Sequence, residues 1–253
     1  MIKNLNQMSP EERDKFLADL ANDPDKRDLL QQLLNSGQIS SEMKQKLIEE
    51  MTKNPIDPTT LLTVLQNSKE MSPETLEKVL KSIENMSGKD LVELAKSLTN
   101  LPLDVKQRVM KEIINKLKEL DSNIQALILQ EMLRASTGIA SELLSELIKL
   151  VITLTPTLIK ELLIRANKLP SEAFKKLLEH MDEVPIEILE DIIKNLEQLS
   201  AEVILALLAL KNLPASIREK LLKEISTNKK LKDKLKGKIS CESLLIDDML
   251  SML

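Results

Sequence analysis

The chain has 253 residues, 42% of them apolar and 30% charged, and a formal net charge of -4. That length allows one large domain or two small ones, with roughly 70–75% of the extended surface removable from water on folding, and the slight acidity argues against a general nucleic-acid binder, which needs clustered Lys and Arg. There is no Trp or Tyr, and the only aromatics are Phe16 and Phe174, so the core is aliphatic; with Leu, Lys, Glu, Ala and Met dominant, the composition predicts an all-α fold.

The N-terminal stretch MIKNLNQMSPEERDK has no apolar run of the kind a secretory signal carries. Residues 9–55 read as irregular helices, opened by Ser9 and Glu12 at capping-box spacing, with apolar anchors at Met8, Ile39 and Ile56 just before successive helix starts.

Residues 57–213 read as regular repeats. The anchors Ile56, Met71, Met86 and Leu101 are spaced by fifteen, and so are Leu154, Leu169, Val184 and Leu199. Between the two blocks, Leu120 and Ala135 continue the series with spacings of 19, 15 and 19, so two units gain one helical turn each. Helix-start chemistry follows the anchors. Asp57-Pro58, Ser72-Pro73 and Thr155-Pro156 place an oxygen at the N-cap and a proline at the first helical position, and Ser87 with Asp90 forms a capping box. Pro102, Pro170, Pro185 and Pro214 directly follow their anchors and bias them away from helix. Asn85, Asn100 and Asn212 precede anchors and are expected in the left-handed position that closes a helix. The pairs Met71–Leu76, Met86–Leu91, Leu154–Ile159 and Leu199–Ile204 have the spacing of a hydrophobic staple.

Apolar residues within units recur at helical spacing, as in Leu76, Val79, Leu80 and Ile83. A helix of about eleven residues is barely stable alone in water, so about fifteen or sixteen of them, joined by two to four residues, must pack antiparallel to their chain neighbours. The expected architecture is one helical-repeat domain over residues 1–253, an α-solenoid or superhelix in the broad class that includes HEAT and armadillo proteins. The period of about thirty per helix pair and the missing aromatics depart from the signatures of the known repeat types. The alternative is a compact multi-helix bundle.

Beyond the regular repeats, residues 214–253 form a basic segment and a terminal amphipathic helix. Glu172 to Glu202 carries nine acids and three bases, while Arg218 to Lys238 carries nine bases and three acids. The two blocks predict solvated helix surface, mutual attraction or a polar binding face. Ser200 to Leu213 is apolar nearly all round, which reads as a central helix covered by neighbours or as a groove for a partner helix. Ser226 to Lys238 reads as a linker or short helix, with anionic lipid, nucleic acid or the acidic block as its attractors. In the last stretch, Leu244, Leu245, Met249, Leu250 and Leu253 share one stripe after a Ser240 cap, as a closing helix or one that docks in a groove.

Catalytic patterns are missing. His180 is the single histidine and is expected at the surface beside Asp182; Cys241 is the single cysteine, which fits a reducing compartment. Glycines 37, 88, 138 and 237 form no phosphate-binding loop. Adjacent acids such as Glu190-Asp191 point in different directions on a helix. The longest uncharged apolar run near the middle, Leu150 to Ile159, is ten residues long with Pro156 inside it, about half a membrane span. The expectation is a cytoplasmic, non-catalytic scaffold or adaptor with no cofactor or metal and no small-molecule substrate. It contacts another protein, by a helix-in-groove mode, through Glu187, Glu190, Asp191 and Lys194 and the apolar residues of the last helix. The alternatives are a lipid-surface protein built on amphipathic helices, against which the scarcity of aromatics weighs, and a self-assembling structural protein.

Overall fold

The computed structural model of the chain describes residues 8–239 apart from 22, 36, 38, 54 and 55. The expected closing helix, with Leu244, Leu245, Met249, Leu250, Leu253 and Cys241, lies outside the described residues. No strand occurs among the described residues. The contacts divide the chain into two units, Met1–Ile124 and Gln125–Leu253. The first holds α1 (Pro10–Ala21), α2 (Arg27–Asn35), α3 (Ser41–Met51), α4 (Pro58–Gln66), α5 (Pro73–Lys81), α6 (Gly88–Lys96) and α7 (Leu103–Leu117). The division falls in the first turn of α8 (Ser122–Arg134). The second holds α9 (Ser141–Leu154), α10 (Leu158–Ile164), α11 (Ser171–Glu179), α12 (Ile186–Lys194), α13 (Ala201–Ala209), α14 (Ala215–Thr227) and α15 (Lys229–Ile239).

The fifteen-residue period has a conformational cause. Asp57 caps α4 from extended backbone, its Oδ1 accepting from the amides of Thr59 and Thr60 at 3.1 and 3.2 Å. Nine helical residues follow, then Asn67 at φ -95 and ψ 20, a single 3₁₀ turn over Ser68–Glu70, the extended anchor Met71 at φ -97 and ψ 149, and the next cap, Ser72. The same sequence of states leads from Ser87 to Leu101, from Pro170 to Val184 and from Pro185 to Leu199. The 3₁₀ turn occupies carbonyls that the end of a helix leaves unpaired, and the extended anchor redirects the chain. The longer units expected at α7 and α9 have helices of fifteen and fourteen residues, but the helix between them, α8, expected to be of ordinary length, is also long at thirteen.

Three local expectations are corrected. Among the described residues no residue other than glycine has positive φ; Asn85 and Asn100 lie inside 3₁₀ turns and Asn212 in the turn after α13. Helix ends close instead through the 3₁₀ turn, and Asn67 and Asn195 donate their Nδ2 to carbonyls four residues back, those of Thr63 at 3.0 Å and Asp191 at 2.7 Å. Thr155 does not cap the following helix. The buried run Leu147, Ile148, Val151 and Ile152 carries α9 through Leu154, so Thr155 ends α9 with its hydroxyl toward the Val151 carbonyl, and α10 starts only at Leu158. The apolar helix at Ser200 is also shorter than its sequence suggests, since Leu210 is already extended at φ -67 and ψ 122.

One contact recurs, between a helix and the helix two further along, beside contacts between sequence neighbours such as α14 and α15. In the first unit α1 packs on α3, α2 on α4, α4 on α6 and α5 on α7. In the second, α9 packs on α11, α10 on α12, α12 on α14 and α13 on α15. Each unit is thus built of short helices packed on their neighbours, an all-α arrangement of the kind that helical solenoids and bundles share. The apolar stripes meet between layers: Leu47, Ile48, Val79, Leu80, Val109 and Met110 are all 1% exposed or less. Each such burial contributes about 1.5–3 kcal/mol, which isolated helices of this length lack.

Candidate functional site

The surface of the second unit is organised by ion pairs between layers. Lys160 on α10 holds Asp191 on α12 at 2.6 Å, and Glu190 on α12 pairs with Lys220 on α14. Two candidate partner-binding residues, Glu190 and Asp191, thus tie their helix to the layers on either side. Glu187 and Lys194 are exposed. Lys194 borders a groove between α12 and α14 of about 300 Å³, shared with Glu190, Ile193, Lys220, Lys223 and Glu224. Beside it, Asn195, Glu197, Asn228 and Leu231 line a second hollow of about 230 Å³.

The acidic and basic blocks face each other because stacking brings residues about thirty apart into register. Asn228 donates to the Glu197 carboxylate at 2.9 Å, Lys230 lies 3.7 Å from it, and Lys234 donates to the carbonyls of Glu197 at 2.7 Å and Leu199 at 2.9 Å. The Lys220 ammonium holds the Glu190 carboxyl below its ordinary range, and the Asn228 amide, with the charge of Lys230, does the same for Glu197. The basic segment is helical, and its apolar residues Leu231 and Leu235 are each 1% exposed. Its lysines are divided between holding the layer below and facing solvent.

Among the described residues, helix α13 is fully covered on one side only. Ala201, Val203, Ile204 and Leu207 are buried, Leu205, Ala206 and Leu208 half-buried, and Ala209 exposed. The corresponding outer face of α11 carries Glu172, Lys175 and Glu179. In the first unit an open groove of about 680 Å³ has mixed charge, from Asp57, Lys78, Lys81, Glu84 and Asp90.

His180 ends α11, and its Nδ1 lies 2.6 Å from Glu183 Oε1 rather than beside Asp182, which accepts from Asn212 at 3.0 Å. No group of three or more His, Cys, Asp or Glu side chains is placed to hold a metal ion among the described residues, and no helix among them is long and apolar enough to cross a membrane. Attraction between the acidic and basic blocks was among the expectations, while the individual inter-layer pairs were not named, although opposite charges recurring about thirty-one residues apart are their signal. The chain matches no family model, no curated protein and no solved structure.

Proposed function

We propose that the chain is a non-catalytic helical-repeat scaffold that presents the groove between α12 and α14 to a protein partner. The observation that supports this reading is the recurring contact between a helix and the helix two further along. Short helices consume their apolar stripes between layers and leave ridges and grooves as outer surface, a design suited to extended contact. Within that surface Lys194 and Lys223 stand exposed at the α12–α14 groove, while Glu190 and Lys220 fix its walls. Ile193, buried within the layer, gives the groove an apolar component, so an acidic segment with an apolar anchor is the partner chemistry that fits best.

The lipid-surface reading is weaker, because the apolar residues of the basic helix α15 are already packed and a lipid-bound state would require the layers to open. The test is affinity capture from a cell extract with the full chain and with a Lys194→Glu, Lys223→Glu variant of equal helicity. The reading expects a protein held by the first and lost by the second. Identical capture profiles would remove this groove from consideration, and clear binding to neutral vesicles with a change in helicity would favour lipid.

A further inference from the structure

We infer that the chain carries a second partner site, on α5 and α7 of the first unit, which takes the same chemistry as the groove between α12 and α14: an acidic segment with an apolar anchor. The inference rests on the reading of that groove as a partner site, and it makes the scaffold bivalent.

The two places match position by position. Each helix is counted from the apolar anchor that precedes it, Met71 for α5, Leu101 for α7, Val184 for α12 and Leu213 for α14. The sixth residue of the first helix, Glu77 or Glu190, then forms an ion pair with the seventh of the second, Arg108 or Lys220, and in both units the two helices pack on each other. Beside the pair, the ninth residue of the first helix, Leu80 or Ile193, and the eighth of the second, Val109 or Leu221, are buried. The tenth residues are Lys81 and Lys111 in the first unit and Lys194 and Lys223 in the second, all four exposed. The eleventh of the second helix is Glu112 or Glu224, half-buried in both. With Asn115 answering Thr227 at the fourteenth position, each residue bordering the α12–α14 groove has a counterpart of like chemistry on α5 or α7.

The fold does not impose this set. Two other layers are tied by a pair at the same positions, Asp14 with Lys46 and Lys160 with Asp191, and there the tenth residues are Ala18 with Glu49 and Ile164 with Lys194. The helix dipole favours a lysine near the end of any helix, but that preference is common to all four layers and leaves the other two without lysine on both helices.

Charge decides the occupant. In each unit the acid at the sixth position is held by the base opposite, so the two exposed lysines set the sign of the site; three bases against two acids leave one positive charge in excess. The aliphatic residue preceding Lys81 or Lys194 supplies the apolar component. A partner carrying two such segments on a linker that spans both sites binds roughly 100- to 10,000-fold more tightly than either segment alone. Altering one site therefore releases it, as the capture experiment with Lys194 and Lys223 expects.

The test is a fluorescence titration at low ionic strength with a synthetic peptide of one Trp flanked on both sides by Glu. The chain has no Trp, so the emission belongs to the peptide alone. Two peptides should bind per chain. Lys81→Glu with Lys111→Glu should leave one, Lys194→Glu with Lys223→Glu should also leave one, and all four together none. Reversing two exposed lysines elsewhere, Lys149→Glu with Lys168→Glu, should leave two, with helicity by circular dichroism confirming that each variant is folded. One peptide per chain, lost with Lys194 and Lys223 and untouched by the changes on α5 and α7, would overturn this inference and leave the α12–α14 reading standing. No binding at all, or an equal loss in the chain altered at Lys149 and Lys168, would overturn both.

Discussion

Lys160 and Asp191 lie thirty-one residues apart in sequence and 2.6 Å apart in space, and their contact has the same anchor-relative positions as that of Glu190 with Lys220 one layer on. Such partly exposed pairs add little to stability, because water screens them and two long side chains must be held in place. Their stronger effect is on register. A slip of one helical turn would break both pairs and set charges against apolar neighbours.

The first prediction concerns that pair. In a double-mutant cycle with Lys160→Ala and Asp191→Ala, urea unfolding should return a coupling of about 0.2–1 kcal/mol that shrinks in high salt. A coupling of zero at low salt would mean that the repeated geometry has no energetic role.

Adjacent leucines on α14 provide the second. Leu221 is 2% exposed and Leu222 is half-buried among the described residues. Leu221→Ala should cost about 2–5 kcal/mol, as truncations in closed cores do, and Leu222→Ala less than about half as much, because part of its surface already meets water. Equal costs in denaturant titrations would contradict the difference in burial between the two leucines.

Much of this was legible because the signals were local. The extended anchors, the caps at Asp57, Ser72 and Ser87, and the extra turns in α7 and α9 each follow from a few neighbouring residues. The failures came where a short-range rule met a longer-range one. Thr155-Pro156 has the same chemistry as Asp57-Pro58, but burial of Val151 and Ile152 carried the preceding helix past the expected start. Asparagines suited to a left-handed cap were instead drawn into 3₁₀ turns, which satisfy the same carbonyls with ordinary backbone angles. At the candidate site, Glu190 and Asp191 looked like free surface acids, since a single helix does not reveal which neighbours the stack brings beside it.

Capping supplies the third prediction. Asp57 accepts from two amides and from the Thr60 hydroxyl at 2.6 Å, while Ser87 and Asp90 form a reciprocal box. Asp57→Ala and Ser87→Ala should each lower stability by about 0.5–2 kcal/mol, while exposed Ser141, inside the first turn of α9 where Ala140 holds the cap position, should tolerate alanine. Thermal melts of the three variants would settle the ranking, and a loss at Ser141 equal to the others would count against the assigned starts.

The fourth prediction concerns acid. Glu190 and Glu197 are both held below the ordinary carboxyl value of 4.5, the first mainly by its bond to Lys220 and the second mainly by its bond to Asn228. A depressed folded-state value means that the ionised form is favoured by folding. The stabilisation is therefore fully present above about pH 4.5 and is lost as pH falls through the folded values. These carboxylates bind α14 and α15 to the layer beneath, so acidification should loosen the last layers before the interior of the unit. Hydrogen exchange followed by mass spectrometry between neutral pH and about pH 3, with intrinsic exchange rates corrected for pH, should show α14 and α15 losing protection first. A Glu190→Gln, Glu197→Gln chain should be looser at neutral pH and show a smaller change on acidification. Uniform loss of protection across the unit in both proteins would detach the acid response from these two residues.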